Sequence, residues 1–549
     1  MKKITENILW VSAFLLIAIT WIAGLFIDTT GDSGLYSAIV RQMVESGDWF
    51  NLKINDAPYM QKPHLFFWLA GLGVQLLGNS NFAFKLFPFL YGLAGIYFTY
   101  RLGRQLISEE AGRFAALVAG TSQIFFLYFF DMHTDLVLQT GVVMALWQLA
   151  AYFQTRKPLN FVLAFAGIGL AMLSKGPIGA VLPFLTVLIY LLAKRDFQQL
   201  FHPKWLLGVL IVLVLISPSL LHLYKSFGLS GLKFYFISNN IGRITGEVAG
   251  SNTDYFFYLH TFLWAFLPWT PVLVISLVKL INTRLKGIEN REFAAGLSCS
   301  VLILLLILSI AKGKAPNYFL ITVPVFSVFA GVWLADFVKR RVEMQKSFIK
   351  FNFVFAGLYC LFFAFAVWFL GDRSIFLPLI ILVVSGVGLF FVFKPEENIF
   401  LRMILFQVII SAGLNLFLNA KVYPELAAFQ GGRQVVELFE KHKKPGDKLY
   451  NFDLEDYNLF FYSAEKVENI ETWDEFYKVA ATPGSWIYTH EIKVKDFVDM
   501  KIKMDTVYQV RQRGMNKVNL KFLNPETRDQ ALITNFLIVT PANDGINDR

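Results

Sequence analysis

The chain has 549 residues, 56% of them hydrophobic and only 16% charged, with 57 Phe and 12 Trp, and its mean hydropathy is +0.52. This balance excludes an ordinary soluble protein, because apolar runs of about 20 residues, enough to cross a hydrocarbon core of roughly 30 Å, recur along most of the chain. The formal charge of +10 does not signal nucleic-acid binding, since the basic residues gather in short loops between apolar runs.

Thirteen spans are expected, at about residues 8–27, 82–100, 112–130, 135–154, 158–174, 176–193, 205–224, 256–280, 293–311, 316–336, 350–370, 374–393 and 399–420. The first has a basic flank but no small-residue cleavage pattern, and reads as a retained helix. Lys2 and Lys3, Arg101 and Arg104, Arg156 and Lys157, Lys194 and Arg195, Arg284 and Lys286, and Lys339 to Arg341 fall in alternate loops. By the positive-inside rule those loops are cytoplasmic. Loops 28–81 and 225–255, the turns near 131–135 and at 175, and the C-terminus then face outward. Segment 63–78 is apolar but short, and reads as re-entrant or interfacial. Cys299 and Cys360 read as buried thiols of the lipid zone, without metal-binding spacing.

After about residue 422 charges return, and alternating stretches such as KLYNFDL and GSWIYTH mix with helical ones such as GGRQVVELFEKHKK. The expected fold is a polytopic α-helical membrane protein over residues 1–421, followed by a small soluble α/β domain over 422–549 on the outer side.

In the first outward loop a helical pattern, with Leu35, Ile39 and Met43 apolar, begins just after Asp32 and Ser33. Asp32 either caps that helix, as Asp commonly does, or is a general base that takes the proton of an acceptor hydroxyl. Lys62, in YMQKPH, is either a snorkelling interfacial lysine or a point charge for a lipid phosphate, with Tyr59 as a hydrogen-bonding neighbour. Asp131 and Asp135 sit where one apolar run ends and the next begins. They cap the returning helix, or Asp135 is a functional carboxylate at membrane depth. His133 between them reads as an interfacial side chain rather than a metal ligand.

Arg243 stands in the third outward loop, and Lys312, Lys314 and Tyr318 at a helix entrance in the fourth; each cation singly reads as a headgroup anchor. Together they suggest one outward pocket with several phosphate-binding cations. Lys175, in the tight turn LSKGPIG, reads as structural, not catalytic. Trp49, Trp68, Trp264 and Trp269 read as belt residues. No P-loop or dinucleotide fingerprint is present for a nucleotide sugar.

These residues resemble a known family, the membrane glycosyltransferases of the GT-C fold that include the dolichyl-phosphate-mannose protein mannosyltransferases and the bacterial aminoarabinose transferases acting on lipid A. The likeness runs over roughly residues 8–420. It rests on GDSGLYSAIVRQMVESGDWF, YMQKPHLFFWL, TDLVLQTGVVMALW, LSKGPIGAVLP, the Arg243 loop leading to FLPW, and KGKAPNYFLITVP.

The resemblance implies transfer of a sugar from a polyprenyl-phosphate donor to a hydroxyl of lipid A, a protein or an envelope glycan, on the outer face of a bacterial inner membrane. It implies Asp32 as catalytic base and Asp135 as the second acidic residue of the pocket. Tyr59, Lys62, Arg243 and Tyr318 would contact the lipid phosphate. A single displacement would invert the anomeric configuration, since retention needs a second nucleophile. Membrane lipid is the other expected partner, nucleic acid is not, and the chain is expected to act as a monomer. No cofactor is required by this chemistry, and a divalent metal between Asp32 and Asp135 stays open. Ser33 stands where the family often has a second acid. Gln61 and Leu35 stand where the aminoarabinose transferases have a glutamate and an arginine, so that substrate assignment is weakened. The rival readings are a flippase for lipid-linked sugars and a non-catalytic sensor.

Overall fold

The computed structural model describes residues 2–247, 252–282, 290–340, 345–370, 399–491, 493–494, 496, 504–513 and 519–540. Among the described residues, seven helices are long and apolar enough to cross a membrane, or up to nine if each bent pair is one span. Two of the expected spans are bent within their apolar runs. The run 112–130 breaks at Ser122, whose backbone is extended, into Glu109–Thr121 and Gln123–Phe130, bent by 55°. The run 256–280 breaks by 113° between Phe257–Ala265 and Thr270–Ile281, and the interruption holds Pro268, which has no N–H for a helical ladder. Three further expected spans fall in the apolar helices Lys2–Gly24, Ile178–Lys194 and Gln345–Leu370. The expected span 374–393 lies outside the described residues.

Segment 63–78 forms the helix Leu65–Leu77, which at 13 residues is about 20 Å long, too short to cross. It is not loose on a surface: Phe66, Phe67 and Ala70 are fully buried. Two other expectations are corrected. Trp269 is no belt residue, being 1% exposed with its indole N–H donated to Thr121 Oγ1 at 2.9 Å. Cys299 and Cys360 are free thiols on exposed helix surfaces, not packed inside.

At the centre of the bundle stands Thr134–Thr155, buried on all sides. Its closest partner is Pro158–Lys175, which returns beside it, and two glycines set the distance. A Cβ on Gly141 would lie 2.7 Å from Ala171 N, and one on Gly167 would lie 2.8 Å from Ala145 N. In lipid, helices are held by close packing of small residues rather than by hydrophobic burial. Backbone contact here brings the start of one helix level with the end of the other, and Ser174 Oγ ties the ends by donating to Thr134 O at 2.8 Å.

One end of the bundle carries the helix Asp32–Ser46, the two-stranded hairpin β1 (Lys53–Ile54) and β2 (Ala57–Pro58), and the C-terminal part of the chain. The latter builds a five-stranded mixed sheet from β3 (Lys448–Phe452), β4 (Glu468–Ile470), β5 (Ser485–His490), β6 (Thr506–Arg513) and β7 (Leu532–Val539), in the order β4-β3-β5-β7-β6. Side chains alternate as strand geometry requires. Leu449 and Trp486 pack with Val435 and Phe439 of the helix Gly431–His442, while Tyr450 and Ile487 pack with Phe476 on the opposite face.

This sheet unit grips the Asp32–Ser46 helix. The Arg41 guanidinium, 9% exposed, donates to the carbonyls of Phe460 and Ala464 at 3.1 and 3.3 Å and to that of Ser463. Tyr462 Oη accepts from Thr29 N at 2.9 Å and donates to Asn81 Oδ1 at 3.0 Å. Asp28 pairs with Arg433. The residues on both sides of Asp32 are thereby fixed to the C-terminal unit.

Candidate active site

Asp32 is the first residue of its helix, and the cap position belongs to Gly31, whose φ of +51° suits glycine. Asp32 itself lies in the first turn, after the cap. A carboxylate in the first turn still gains from the helix dipole. Among the described residues it has no ion pair or hydrogen bond, and it is exposed. Its charge reaches Tyr36, Tyr59, Lys62 and His133. Burial, reinforced by that charge, pushes the Tyr36 and Tyr59 hydroxyls above the usual phenol range.

Asp135, the second residue of Thr134–Thr155, is 1% exposed. Its Oδ1 and Oδ2 accept from Lys175 Nζ at 2.5 and 2.6 Å, and Oδ2 also accepts from Asn317 Nδ2 at 2.7 Å. It is therefore a paired carboxylate rather than a helix cap. Lys175, read from sequence as a structural turn residue, sits inside the site as the partner of Asp135. The turn ends its helix through Gly176 at φ +87°, and Lys175 lies in the last turn, where a cation is favoured by the helix dipole. Lys175 Nζ also lies 4.2 Å from the centroid of the Tyr318 ring.

Arg243 approaches the same ring from another helix. Its guanidinium donates to Tyr318 Oη, and its Nε donates to Asn239 Oδ1 at 3.1 Å. The backbone holds it too, since Gly313 N donates to Arg243 O at 2.7 Å and Lys312 N to Ile244 O at 3.2 Å. The other cations of that loop do not join the cluster: Lys312 is exposed, and Lys314 Nζ donates to Asn252 O at 2.7 Å.

Lys62 completes the group. Among the described residues its ammonium has no hydrogen bond or ion pair, and it lines a cavity of about 260 Å³ shared with Asp135, Lys175, Asn239, Arg243 and Tyr318. Burial, then the neighbouring cations Lys175 and Arg243, push Lys62 down to about 7 against the weaker pull of Asp135 and Asp32. The rest of this cavity is apolar, walled by Ile178, Val181, Ile244, Leu304, Ile307 and Ile321. Phe236 also borders a second cavity of about 510 Å³, lined almost wholly by apolar side chains from Met172 and Ile216 down to Leu191 and Trp205. A polar head with three cations thus opens into apolar space.

Lys62, Asp135, Arg243 and Tyr318 line this cavity together. Asp32 and Tyr59 lie within electrostatic reach but do not line it. The Tyr59 hydroxyl is buried and has no hydrogen-bond partner among the described residues. His133 is bonded to Asp131 Oδ2 at 3.3 Å and stacks edge-on against Tyr36 and Tyr128. Burial disfavours its charged form, but Asp131 outweighs this and its pKa is raised. No group of three His, Cys, Asp or Glu side chains that could hold a metal occurs among the described residues, and both oxygens of Asp135 are already engaged. Sequence reasoning missed Lys175 and Asn317. A lysine in a turn and an amide at a helix entrance carry no local signal that they meet a carboxylate from another helix.

The sequence profile described as Dolichyl-phosphate-mannose-protein mannosyltransferase matches residues 61–222. An undecaprenyl phosphate-alpha-4-amino-4-deoxy-L-arabinose arabinosyl transferase from Pectobacterium atrosepticum is 27% identical over 342 residues, 60% of this chain and 59% of that protein. Arabinosyl transferase 2 of Proteus mirabilis is 26% identical over 301 residues, 53% of this chain and 52% of that protein. These alignments span a little over half the length of each relative. The crystal structure of ArnT from Cupriavidus metallidurans bound to undecaprenyl phosphate superposes with a TM-score of 0.74 at 19% identity, covering 96% of this chain and 97% of that one, so the fold is shared almost end to end. In sequence the chain is thus similar, over part of its length, to glycosyltransferases named for polyprenyl-phosphate-linked sugars, and it shares the fold of ArnT, with the long apolar helices of a multi-pass membrane protein.

Proposed function

We propose that the protein transfers a sugar from a polyprenyl-phosphate donor to a hydroxyl acceptor of lipid A, a protein or an envelope glycan, on the outer face of a bacterial inner membrane. The observation that carries this reading is the cavity in which Lys62, Lys175 and Arg243 converge with Tyr318 at one end while the remaining wall is apolar. Such a site suits a phosphate on an isoprenoid tail: the anion meets cations and a phenol, and the hydrocarbon follows Phe236 into the second cavity. The outward orientation follows from the alternation of basic loops, and the C-terminal sheet unit then lies on the same outer side.

The acceptor oxygen attacks the anomeric carbon as the bond from that carbon to the phosphate oxygen breaks. The bonding pair leaves with the polyprenyl phosphate, and the hydroxyl proton passes to Asp32. Asp32 suits a base because it is accessible and unpaired, whereas Asp135 is committed to Lys175 and Asn317. Lys62 and Arg243 stabilise the charge that develops on the leaving phosphate. Asp135 acts through Lys175, holding that ammonium in the cavity as counter-charge. One displacement inverts configuration.

The test is reconstitution in vesicles with a polyprenyl-phosphate sugar and a hydroxyl acceptor. A new glycosidic bond of inverted anomeric configuration, read by NMR, supports the proposal, and retention contradicts the single displacement. Movement of the lipid-linked sugar across the bilayer with no new bond would identify a flippase instead.

A further inference from the structure

The segment Tyr59–His64 carries two of the residues given to the donor phosphate, yet it belongs to no helix or sheet apart from its own turns. A lysine on such a strap is useful only if something outside the strap fixes it. Two polar side chains of the spanning helix Lys204–Lys233 do so. His222 Nε2 lies 2.9 Å from Tyr59 O, and Ser219 Oγ lies 3.3 Å from His64 N and 2.7 Å from His64 Nδ1. Ser219 and His222 are three residues apart, so both face the strap from one side of the helix.

The proton positions follow from what each partner can do. A carbonyl only accepts, so His222 Nε2 carries the hydrogen that Tyr59 O receives. His64 Nε2 lies 3.0 Å from Phe50 O and must carry a hydrogen for the same reason. His64 Nδ1 is then the acceptor, and the Ser219 hydroxyl donates to it while its oxygen accepts from His64 N. The rings of His64 and His222 meet edge-on at 5.5 Å. Both ends of the strap are therefore held by one helix, with Met60, Gln61, Lys62 and Pro63 between. Pro63 stiffens the link further, because it has no N–H and restricts the backbone of Lys62 to extended conformations.

Ser219 and His222 are buried, at 1% and 3% exposure. A histidine and a serine on a lipid-embedded helix are costly unless their hydrogen bonds serve a purpose. Neither lines the donor cavity, while both border a small polar space together with Lys62, Lys175 and Asn239. Their contact is thus with the frame of Lys62, not with the place assigned to the phosphate.

Resting on the donor-site reading above, we propose that Ser219 and His222 are positioning residues that hold the Tyr59–His64 strap, and through it the Lys62 ammonium, at the phosphate end of the cavity. Equilibrium binding of undecaprenyl phosphate to the purified full chain in detergent reads this without requiring turnover. His222→Leu weakens binding by about tenfold, the scale of one lost hydrogen bond to a buried carbonyl. His222→Gln, whose amide can donate from nearly the same place, restores binding to within about threefold of the unaltered protein. In a Lys62→Ala background, His222→Leu adds no further loss, because the two act on one interaction.

Equal binding by His222→Leu and the unaltered protein overturns the proposal, and so does an undiminished His222 effect without Lys62. A His222→Leu protein that fails to fold leaves Ser219→Ala, which keeps the small volume and loses the bonds to His64, to give the same weakening and the same dependence on Lys62. Its failure to do so overturns the proposal equally. Absence of binding by the unaltered protein would instead contradict the donor-site reading on which this rests.

Discussion

Lys62 and Asp135 are both charged residues taken from water, and their surroundings differ in a way that makes them separately testable. Asp135 is matched by Lys175 and Asn317, so Asp135→Leu strands a buried ammonium and is expected to cost about 3–5 kcal/mol, seen as a lower unfolding temperature in detergent. Replacing Lys175 by leucine as well should recover part of that stability without restoring transfer. Lys62 has no such partner among the described residues, and burial with two neighbouring cations holds it down to about 7. The ammonium is charged below that value and neutral above it, while the phosphodiester of a sugar donor keeps one negative charge throughout. Donor kcat/KM should therefore fall as pH rises from about 6 to 8, with kcat less affected because bound phosphate restores the charge. Lys62→Arg should flatten the profile, since a guanidinium stays charged. A profile that is already flat with lysine contradicts this assignment.

At the scale of elements, the meeting of Asp135 with Lys175 depends on the contact between Thr134–Thr155 and Pro158–Lys175. Gly167→Leu would drive a side chain into Ala145, an overpacking worth about 1–3 kcal/mol or more in so tight a crossing. The expected result is loss of stability and of transfer together, whereas Gly357, with open space around its Cβ position, should accept alanine with no measurable change. The loop helix Asp32–Ser46 is held by Arg41 against the backbone carbonyls of Phe460, Phe461, Ser463 and Ala464. Arg41→Ala should lower kcat by roughly tenfold, with faster limited proteolysis of the C-terminal unit, because the helix carrying Asp32 loses its clamp. Unchanged kcat with faster proteolysis would separate the clamp from catalysis. These contacts explain what sequence reading reached and where it stopped. GDSGLYS, YMQKPH and KGKAPNYF are local strings, so Asp32, Lys62 and Tyr318 were visible. Asn317 was in view in the same string but had no assigned partner. Lys175, Arg41 and His222 act across helices, through pairings that hydropathy and motif spacing do not encode.

For the whole molecule, composition alone was sufficient for the membrane class, because no soluble fold leaves so many long apolar runs. It did not show where the spans bend. Ser122 and Pro268 interrupt runs whose average hydropathy is unbroken, and Trp269 is apolar enough for a membrane belt yet lies in the core. The alternating pattern of the C-terminal part gave the sheet but not its order, which depends on the parallel pairings of β3 with β4 and β5 and the antiparallel pairings of β7. The architecture that results places an exposed carboxylate, Asp32, within electrostatic reach of a set of cations whose cavity is otherwise mostly apolar. In the proposed mechanism Asp32 removes the proton while the Lys62 side of the cavity binds the donor. Asp32→Asn separates the two most directly, when transfer from a polyprenyl-phosphate sugar and binding of undecaprenyl phosphate are measured on the same preparation. The expected result is transfer reduced by at least about a hundredfold with binding within about threefold of the unaltered protein. Transfer at the unaltered rate in Asp32→Asn would contradict the account.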